Sequence, residues 1–225
     1  MQVIIFTLFP QFFDSVLKTS ILGRAVRNQH LTVAVVNIRD FTTDKHKTTD
    51  DRPYGGGPGM VMKVEPIDRA LKNFKLTKGT PGERIILTSA KGTMFTQAIA
   101  RDWQSLKRIA LICGHYEGVD ERVVQQLIDE EIRIGDYVLT GGEPAAAVMI
   151  DAVARLIPGV LGNESSNVDE SHSLPGKMGH PQYTRPENYQ GWKVPPALLT
   201  GHHQQIGEWR VQQQQKQDRS YGRKT

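Results

Sequence analysis

Three short segments in the second half of the chain place glycines beside polar side chains, where strands are predicted to end. They are TSAKG (88–92), CGHYEG (113–118) and TGGE (140–143). Ligands of open α/β sheets bind beyond the carboxyl ends of strands, so three such segments predict one pocket built largely from backbone amides and carbonyls. Glycines let a ligand or another backbone approach closely. The pattern suits an adenine and a ribose, although each segment alone is more often an ordinary turn.

A fourth glycine-rich segment, DDRPYGGGPGM (50–60), lacks the pattern of a nucleotide-binding loop. A P-loop needs a lysine and a serine or threonine directly after the glycines, whereas Met60 follows Gly59 here. A dinucleotide-binding fingerprint needs glycines after the first strand, where this chain reads LFPQFF. The absence of these patterns argues against a P-loop nucleoside triphosphatase and against a nicotinamide-dependent enzyme.

Predicted strands and helices alternate along the first part of the chain. The strands, some ending in loops, cover 2–9, 31–38, 83–92, 108–118 and 132–143, and the helices cover 11–28, 64–75, 95–107, 119–131 and 144–158. This alternation predicts an α/β domain with a mainly parallel sheet. After Gly162 the composition changes. The segment 163–196 lacks the periodicity of helices and strands and is rich in Ser, Pro, Gly and Asn. A helix is predicted over 200–217.

Composition narrows the class of protein. The 225 residues are 38% apolar, enough for one large domain or two modest ones. No apolar run approaches the ~20 residues of a membrane span, so we expect no membrane association. Cys113 is the single cysteine, which excludes an intramolecular disulfide and predicts a reducing, cytoplasmic location. The net charge of +4 resides in the tail from Arg210 onward, which weakly favours a nucleic-acid partner over a solvated terminus.

Six segments together resemble one family, the TrmD-type bacterial tRNA (guanine-N1)-methyltransferases, in order and with compatible spacing from residue 1 to about 210. They are DDRPYGGGPGM, CGHYEGVDER (113–122), IGDYVLTGGE (134–143), RLIPGVLGNE (155–164), QYTRP (182–186) and VPPALLTGHH (194–203). The resemblance implies transfer of a methyl group from S-adenosylmethionine to N1 of the guanosine immediately 3′ of the tRNA anticodon. It also implies a homodimer whose active sites are shared between subunits.

The fold implied by the resemblance is an α/β methyltransferase of the SPOUT class with a deep trefoil knot and a mainly parallel sheet, plus a small, mostly helical C-terminal domain. On this basis 1–162 is expected to be the knotted domain that binds S-adenosylmethionine. Residues 163–180 would be a flexible linker, and 181–225 a helical tRNA-binding domain with a basic tail. Because true knots are almost absent from proteins, strand and helix patterns alone would not predict one.

The family's cofactor pocket can be carried over residue by residue. It comprises Leu87, Thr88, Ser89, Gly114, Tyr116, Glu117, Ile134, Gly135, Tyr137, Leu139, Gly141, Gly142 and Ala145. Either tyrosine could instead be a core aromatic side chain. The resemblance further suggests a requirement for magnesium, which Glu117 would help to organise, although the sequence shows no cluster of two or three acids that would bind a metal.

The reaction needs a base, because N1 of neutral guanine carries a proton that must leave as the methyl group arrives. The resembling enzymes use an aspartate in the linker. Ungapped spacing from Arg155 places Glu170 at that position, whereas residue identity favours Asp169, which we prefer. Both acids could instead cap a helix N-terminus. Arg155 is the expected partner for charge developing on guanine O6, or alternatively an ion-pair partner of Asp151.

The resemblance places the 50–60 loop near the entering guanine and the subunit contact. Expected contacts to the RNA, including the anticodon loop, are Arg52, Tyr54, Gly55, Gly59, Tyr183, Arg185 and His203. The loop could otherwise be a rigid Pro-Gly turn. Two other functions stay open at this point. The chain could be another SPOUT enzyme that methylates rRNA or a ribose 2′-hydroxyl, or an RNA-binding protein without catalytic activity.

Overall fold

The computed structural model describes residues 1–162, 170–174 and 176–221, and for 219–221 the backbone only. The chain forms two compact units, Met1–Gly162 and Asn163–Thr225. The predicted linker, 163–180, therefore falls partly outside the described residues, and so does the end of the basic tail.

The first unit is built on a five-stranded parallel sheet with the order β2–β1–β6–β5–β7. Its strands are β1 (Gln2–Thr7), β2 (Thr32–Asn37), β5 (Glu83–Met94), β6 (Arg108–Cys113) and β7 (Glu130–Arg133). The expected α/β fold with a mainly parallel sheet is confirmed. Two short strands, β3 (Asp50–Asp51) and β4 (Val61–Met62), pair antiparallel outside this sheet and close the base of the glycine-rich loop.

Helices cover both faces of the sheet. They are α1 (Phe13–Val16), α2 (Ser20–Arg27), α3 (Val64–Asn73), α4 (Gln97–Trp103), α5 (Glu121–Gln126) and α6 (Glu143–Ala154). A hydrophobic core lies on each face of the sheet, which explains why a central strand has an uninterrupted apolar sequence. Successive side chains of a strand point to opposite faces. Accordingly Val3 and Ile5 belong to the core beneath α6, and Ile4 and Phe6 to the core beneath α3.

Two helix predictions were too long, because tertiary packing divides their segments. The segment 11–28 forms α1 and α2 separately, and Ser20 adopts a left-handed conformation where they meet. The segment 119–131 leaves the helix after Gln126, because Glu130 onward pairs with β5. The predicted strand over 132–143 accordingly begins earlier, at Glu130, and ends at Arg133.

The second unit contains a small hairpin that the sequence pattern did not predict. Strand β8 (Asn188–Tyr189) pairs antiparallel with β9 (Trp192–Lys193). The two turn residues, Gln190 and Gly191, have positive φ values of 53° and 89°, which is the geometry of a two-residue hairpin turn. The usual Asn-Gly signal is replaced here by Gln-Gly. Beyond the hairpin, helix α7 spans His203–Tyr221.

Candidate active site

The three glycine-rich segments converge on one cavity of about 280 Å³. TSAKG lies within β5, which continues to Met94 rather than ending in a loop, CGHYEG lies at the end of β6, and TGGE leads into α6. All thirteen residues expected to form the cofactor pocket line it, from Leu87 on β5 to Ala145 on α6. They come together because the carboxyl ends of neighbouring parallel strands meet at one edge of the sheet. The structure thus brings together in space what the sequence separates by more than 50 positions.

Backbone contacts between the segments define the floor of this cavity. The Gly142 amide donates to the Gly114 carbonyl at 2.8 Å, and the Gly114 amide donates to Thr88 Oγ1 at 3.2 Å. A Cβ atom on Gly142 would overlap Thr88 Oγ1 and lie 2.9 Å from the Gly114 nitrogen and 3.0 Å from the Cys113 Cα. Glycine is therefore required at position 142 by close approach of backbone rather than by an unusual φ angle.

A second close backbone approach lies near the end of β5, beside the neighbouring strand β7. A Cβ atom on Gly92 would overlap the carbonyl of Glu131 and the amide nitrogen of Ile132 in β7. The Arg133 guanidinium donates a hydrogen bond to the Gly92 carbonyl. Both Thr88 and Thr93 are in register with Ile132, so β5 bulges where β7 passes it.

The rim of the cavity is apolar and accessible. The side chains of Tyr116, Tyr137 and Leu139 are 42%, 55% and 40% exposed. Tyr116 has a left-handed backbone conformation, with φ at 59°. The Tyr137 ring lies directly over Gly135, where a Cβ atom would overlap it. Exposed apolar and aromatic groups around backbone polar atoms match the walls of a site for a planar heterocycle.

Glu117 lines the cavity and contacts the 50–60 loop. Its amide donates to the Met60 carbonyl at 3.0 Å, and the Met62 amide donates to the Gly118 carbonyl at 2.9 Å. A Cβ atom on Gly59 would lie 2.6 Å from Glu117 Cγ and Oε1. The glycine-rich loop is therefore attached to the wall of the cavity.

A positive charge lies beside the same loop. Two hydrogen bonds join the Arg122 guanidinium to Asp120, at 2.8 and 2.6 Å. The side-chain hydrogen bond from Arg122 lowers the pKa of Asp120, and the same interaction raises the pKa of Arg122, with smaller electrostatic contributions from Glu65 and Tyr54. Tyr54 itself is fully exposed. The loop thus carries an accessible aromatic ring near a permanently charged arginine.

The expected catalytic residues are not all at this cavity. Arg155 follows the last residue of α6 and is half-buried there, whereas Ala145 near the start of α6 lines the cavity. Ten residues of helix separate them by about 15 Å, which is more than the length of an arginine side chain. Asp169 lies outside the described residues, and Glu170 belongs to the second unit.

The expected RNA contacts occur in both units. Arg52, Gly55 and Gly59 lie in the exposed loop between β3 and β4, together with Tyr54. In the second unit Tyr183 is 50% exposed, with its ring 6.1 Å from that of Trp209. Arg185 and His203 are exposed there as well. All of these side chains are accessible to a macromolecular partner.

Several residues at the cavity had no place in the sequence prediction, and three of them bear on its chemistry. Lys91 and His115 line it, and Glu143 is buried beside it. A possible signal for Glu143 was its position at the end of the TGGE segment. Its burial, at 4% exposure, could not be inferred from the local pattern.

A search of the described residues found no group of three or more His, Cys, Asp or Glu side chains arranged to hold a metal ion. A magnesium requirement thus stays a prediction from the resemblance.

Within the same described residues, no helix combines the length and the apolar character needed to cross a membrane.

Cys113 is buried below the cavity, and burial raises the pKa of its thiol well above the usual range, with a smaller contribution from Glu143. The thiolate is the reactive form of cysteine. We therefore expect iodoacetamide to leave Cys113 unmodified in the folded protein at neutral pH and to modify it fully in urea, as measured by intact mass. Modification of the folded protein at the rate of a free thiol would contradict this.

The sequence of the chain is similar to one protein family and to several of its named members. The family model described as tRNA (Guanine-1)-methyltransferase TrmD matches residues 1–224. Proteins named tRNA (guanine-N(1)-)-methyltransferase from Ruminiclostridium cellulolyticum and Geobacillus kaustophilus are each 51% identical over 210 residues. These matches cover 93% of this chain and 89% and 85% of the two relatives. The relative from Chloroflexus aggregans is 52% identical over 206 residues, 92% of this chain and 80% of its own length. The chain therefore belongs to the TrmD family of tRNA (guanine-1)-methyltransferases, and it is an enzyme.

Proposed function

We propose that this enzyme transfers the methyl group of S-adenosylmethionine to N1 of the guanosine immediately 3′ of the tRNA anticodon. One observation carries the proposal. The cavity at the carboxyl ends of β5 and β6 is lined by all thirteen residues expected to bind the cofactor, in a chain about half identical to enzymes named tRNA (guanine-N(1)-)-methyltransferase. The expected location is the cytoplasm, as the single cysteine and the tRNA substrate suggest.

The residues at the cavity fit S-adenosylmethionine. Leu87, Ile134 and Leu139 provide apolar surface for an adenine ring, and the glycine segments provide backbone groups for its polar edge and for the ribose. The glycine at 142 leaves no room for a side chain at the floor, where backbone would face the ligand. When bound, the cofactor supplies an electrophilic methyl group on a positively charged sulfur.

The protein's own residues must align the guanine and remove the N1 proton. Asp169 or Glu170 is proposed as the base that accepts this proton as the new bond forms. The guanidinium of Arg155 would stabilise negative charge developing on guanine O6, because it is always charged and donates from a planar fork. Glu117, exposed at the cavity, would help to position the reacting groups.

The position of Arg155 supports a homodimer with shared active sites. Within one chain, Arg155 and the cavity lie at opposite ends of α6, so the arginine does not reach the cavity of its own subunit. A second subunit could bring its Arg155 and linker acid to the cavity of the first. The exposed apolar side chains Phe9, Phe12, Val138 and Val148 on the first unit provide surface that such a contact could bury.

We also propose that the chain forms the deep trefoil knot of the SPOUT class. Two close backbone approaches support this, since a Cβ atom on Gly92 would overlap the Glu131–Ile132 peptide of β7, and one on Gly142 would overlap Thr88 Oγ1 and lie within 3.0 Å of the Cys113 Cα and the Gly114 nitrogen. At both places the backbones approach too closely for any side chain. Such contacts are expected where one segment is threaded past another.

The RNA would contact the exposed loop between β3 and β4 and the second unit. To expose N1 on its Watson–Crick edge, the target guanosine must leave its stack, which is easier in a loop than in a helix. Tyr54 and Arg52, both exposed on this loop, would contact a base and a phosphate. Tyr183, Arg185, His203 and the basic tail would add affinity that decreases with salt.

The proposal is tested with tritiated S-adenosylmethionine and two tRNA transcripts that carry either G or A after the anticodon. Label on the G transcript alone, recovered as N1-methylguanosine by nucleoside mass analysis, is the expected result. Label on rRNA or on a ribose would instead indicate another SPOUT activity. Absence of label on every RNA would indicate a binding protein without catalytic activity.

Replacement of Gly59 by alanine is expected to reduce methyl transfer up to about 100-fold, as small displacements of catalytic groups can. The new Cβ would displace the side chain of Glu117, which lies 2.6 Å away. Gly56→Ala is the matched control, because φ is 78° there against 79° at Gly59 and, in the part of the chain that the structure describes, no atom lies within 4 Å of its Cβ position. Equally reduced rates in the two variants, measured by the same assay, would show that backbone strain rather than Glu117 is responsible, and a wild-type rate in Gly59→Ala would contradict the prediction.

A further inference from the structure

Glu143, the first residue of α6, places a buried carboxylate beside the cavity. Its Oε1 accepts a 2.6 Å hydrogen bond from the hydroxyl of Thr7 at the end of β1. The Thr7 oxygen in turn accepts the Phe9 amide at 2.9 Å. Burial of a carboxylate is unfavourable unless its oxygens are hydrogen-bonded. Thr7 satisfies one oxygen and leaves the second available to another donor.

The side chain of His115, which lines the same cavity, has a ring nitrogen whose hydrogen-bonding capacity is unsatisfied. In the described part of the chain its Nδ1 is buried and has no hydrogen-bond partner. The imidazole contacts the rings of Phe9 and Tyr116, with centroids 5.0 and 4.9 Å away. These aromatic contacts restrict the position of the ring but satisfy neither nitrogen.

Gly141 lies between the two groups. The position of a Cβ atom on Gly141 is 2.5 Å from Glu143 Oε2 and 2.6 Å from His115 Nδ1. The carboxylate oxygen and the ring nitrogen are therefore neighbours across a glycine, where any side chain would separate them. His115 and Gly141 also form an antiparallel bridge, so their backbones are already joined.

We propose that Glu143 and His115 form a hydrogen-bonded pair that positions the cofactor-binding wall of the active site. Glu143 Oε2 accepts the Nδ1 proton of His115, directly or through one water, and so fixes the tautomer with the proton on Nδ1. The pair holds the segment that continues into Tyr116 and Glu117, both of which line the cavity. Tyr116 needs such support because its φ of 59° is uncommon for a residue other than glycine. His115 and Glu143 are thus positioning residues, and this role rests on the proposed function.

The tautomer can be measured without cofactor or RNA, by two-bond ¹⁵N–¹H correlation spectra of the protein labelled at histidine. The expected result is a neutral His115 protonated on Nδ1. Glu143→Leu should lose this preference, because it removes the acceptor at similar volume, whereas Glu143→Gln should retain part of it through its amide oxygen. A wild-type His115 protonated on Nε2 would overturn the proposal even if neither variant folds.

The affinity of the protein for S-adenosylmethionine is the second measurement, and it tests the positioning role of His115. An asparagine amide can replace the Nδ1 donor, a glutamine amide reaches the Nε2 position, and phenylalanine keeps only the ring. His115→Gln and His115→Phe should therefore bind S-adenosylmethionine about tenfold more weakly in calorimetry, and His115→Asn within about threefold of wild type, as the loss of one hydrogen bond predicts. Wild-type affinity in His115→Phe would overturn the positioning role. If the wild-type protein binds no S-adenosylmethionine, the proposed function fails, while the tautomer spectrum still decides the pair.

Discussion

Replacing Gly142 by alanine should abolish cofactor binding and destabilise the first unit. The new methyl group would overlap Thr88 Oγ1 and press on the Gly114 nitrogen, 2.9 Å away. Rotation of Thr88 would break its hydrogen bonds to the Ile112 carbonyl and the Gly114 amide. Overpacking of this kind costs about 1–3 kcal/mol. For a chain of this size the melting temperature would fall by roughly 2–12 °C.

Gly162→Ala is the matched control for this variant. Among the described residues no atom lies within 4 Å of its Cβ position, and its φ lies outside the left-handed range, so the same substitution should change neither stability nor binding. Calorimetry with S-adenosylmethionine and thermal unfolding of the free protein are the two measurements. Wild-type affinity in Gly142→Ala would mean that the crossing of the three segments does not form the cofactor site.

Alanine at the true general base should reduce methyl transfer by at least about 100-fold and leave the cofactor affinity nearly unchanged. The reason is that N1 of guanine cannot be methylated until its proton has an acceptor, whereas the cofactor is bound by other groups. Asp169→Ala and Glu170→Ala are therefore compared at saturating cofactor and tRNA. The variant that loses turnover identifies the base between these two acids.

The amides Asp169→Asn and Glu170→Gln are the matched controls, because they keep side-chain size and remove only the basic oxygen. For the residue that is the base, amide and alanine variants should be equally slow. If Asp169 only caps a helix, its asparagine variant should behave like wild type, since asparagine caps as well as aspartate. Full rate in both alanine variants would show that the base does not come from the linker.

The sequence patterns alone determined the α/β fold and a pocket at the carboxyl ends of its strands, and the resemblance to the family named the thirteen residues that line the cavity. Apolar β-branched runs such as QVIIFT become central strands because both their faces must be buried, and that requirement is visible locally. The glycine segments follow such strands, and parallel strands present their carboxyl ends at one edge. A pocket at that edge was therefore predictable before any distance was known.

The tertiary structure decided which of these residues are in contact. The segment after Gln126 leaves its helix because β7 pairs with β5, an interaction between residues about 40 positions apart. Glu143 is buried because Thr7, on a strand 136 residues earlier, reaches its carboxylate. Arg155 is far from the cavity because α6 runs uninterrupted between them. Local sequence patterns indicate whether a segment prefers a helix or a strand. Contacts between distant segments depend on how the sheet is assembled, so only the folded chain shows which residues are in contact.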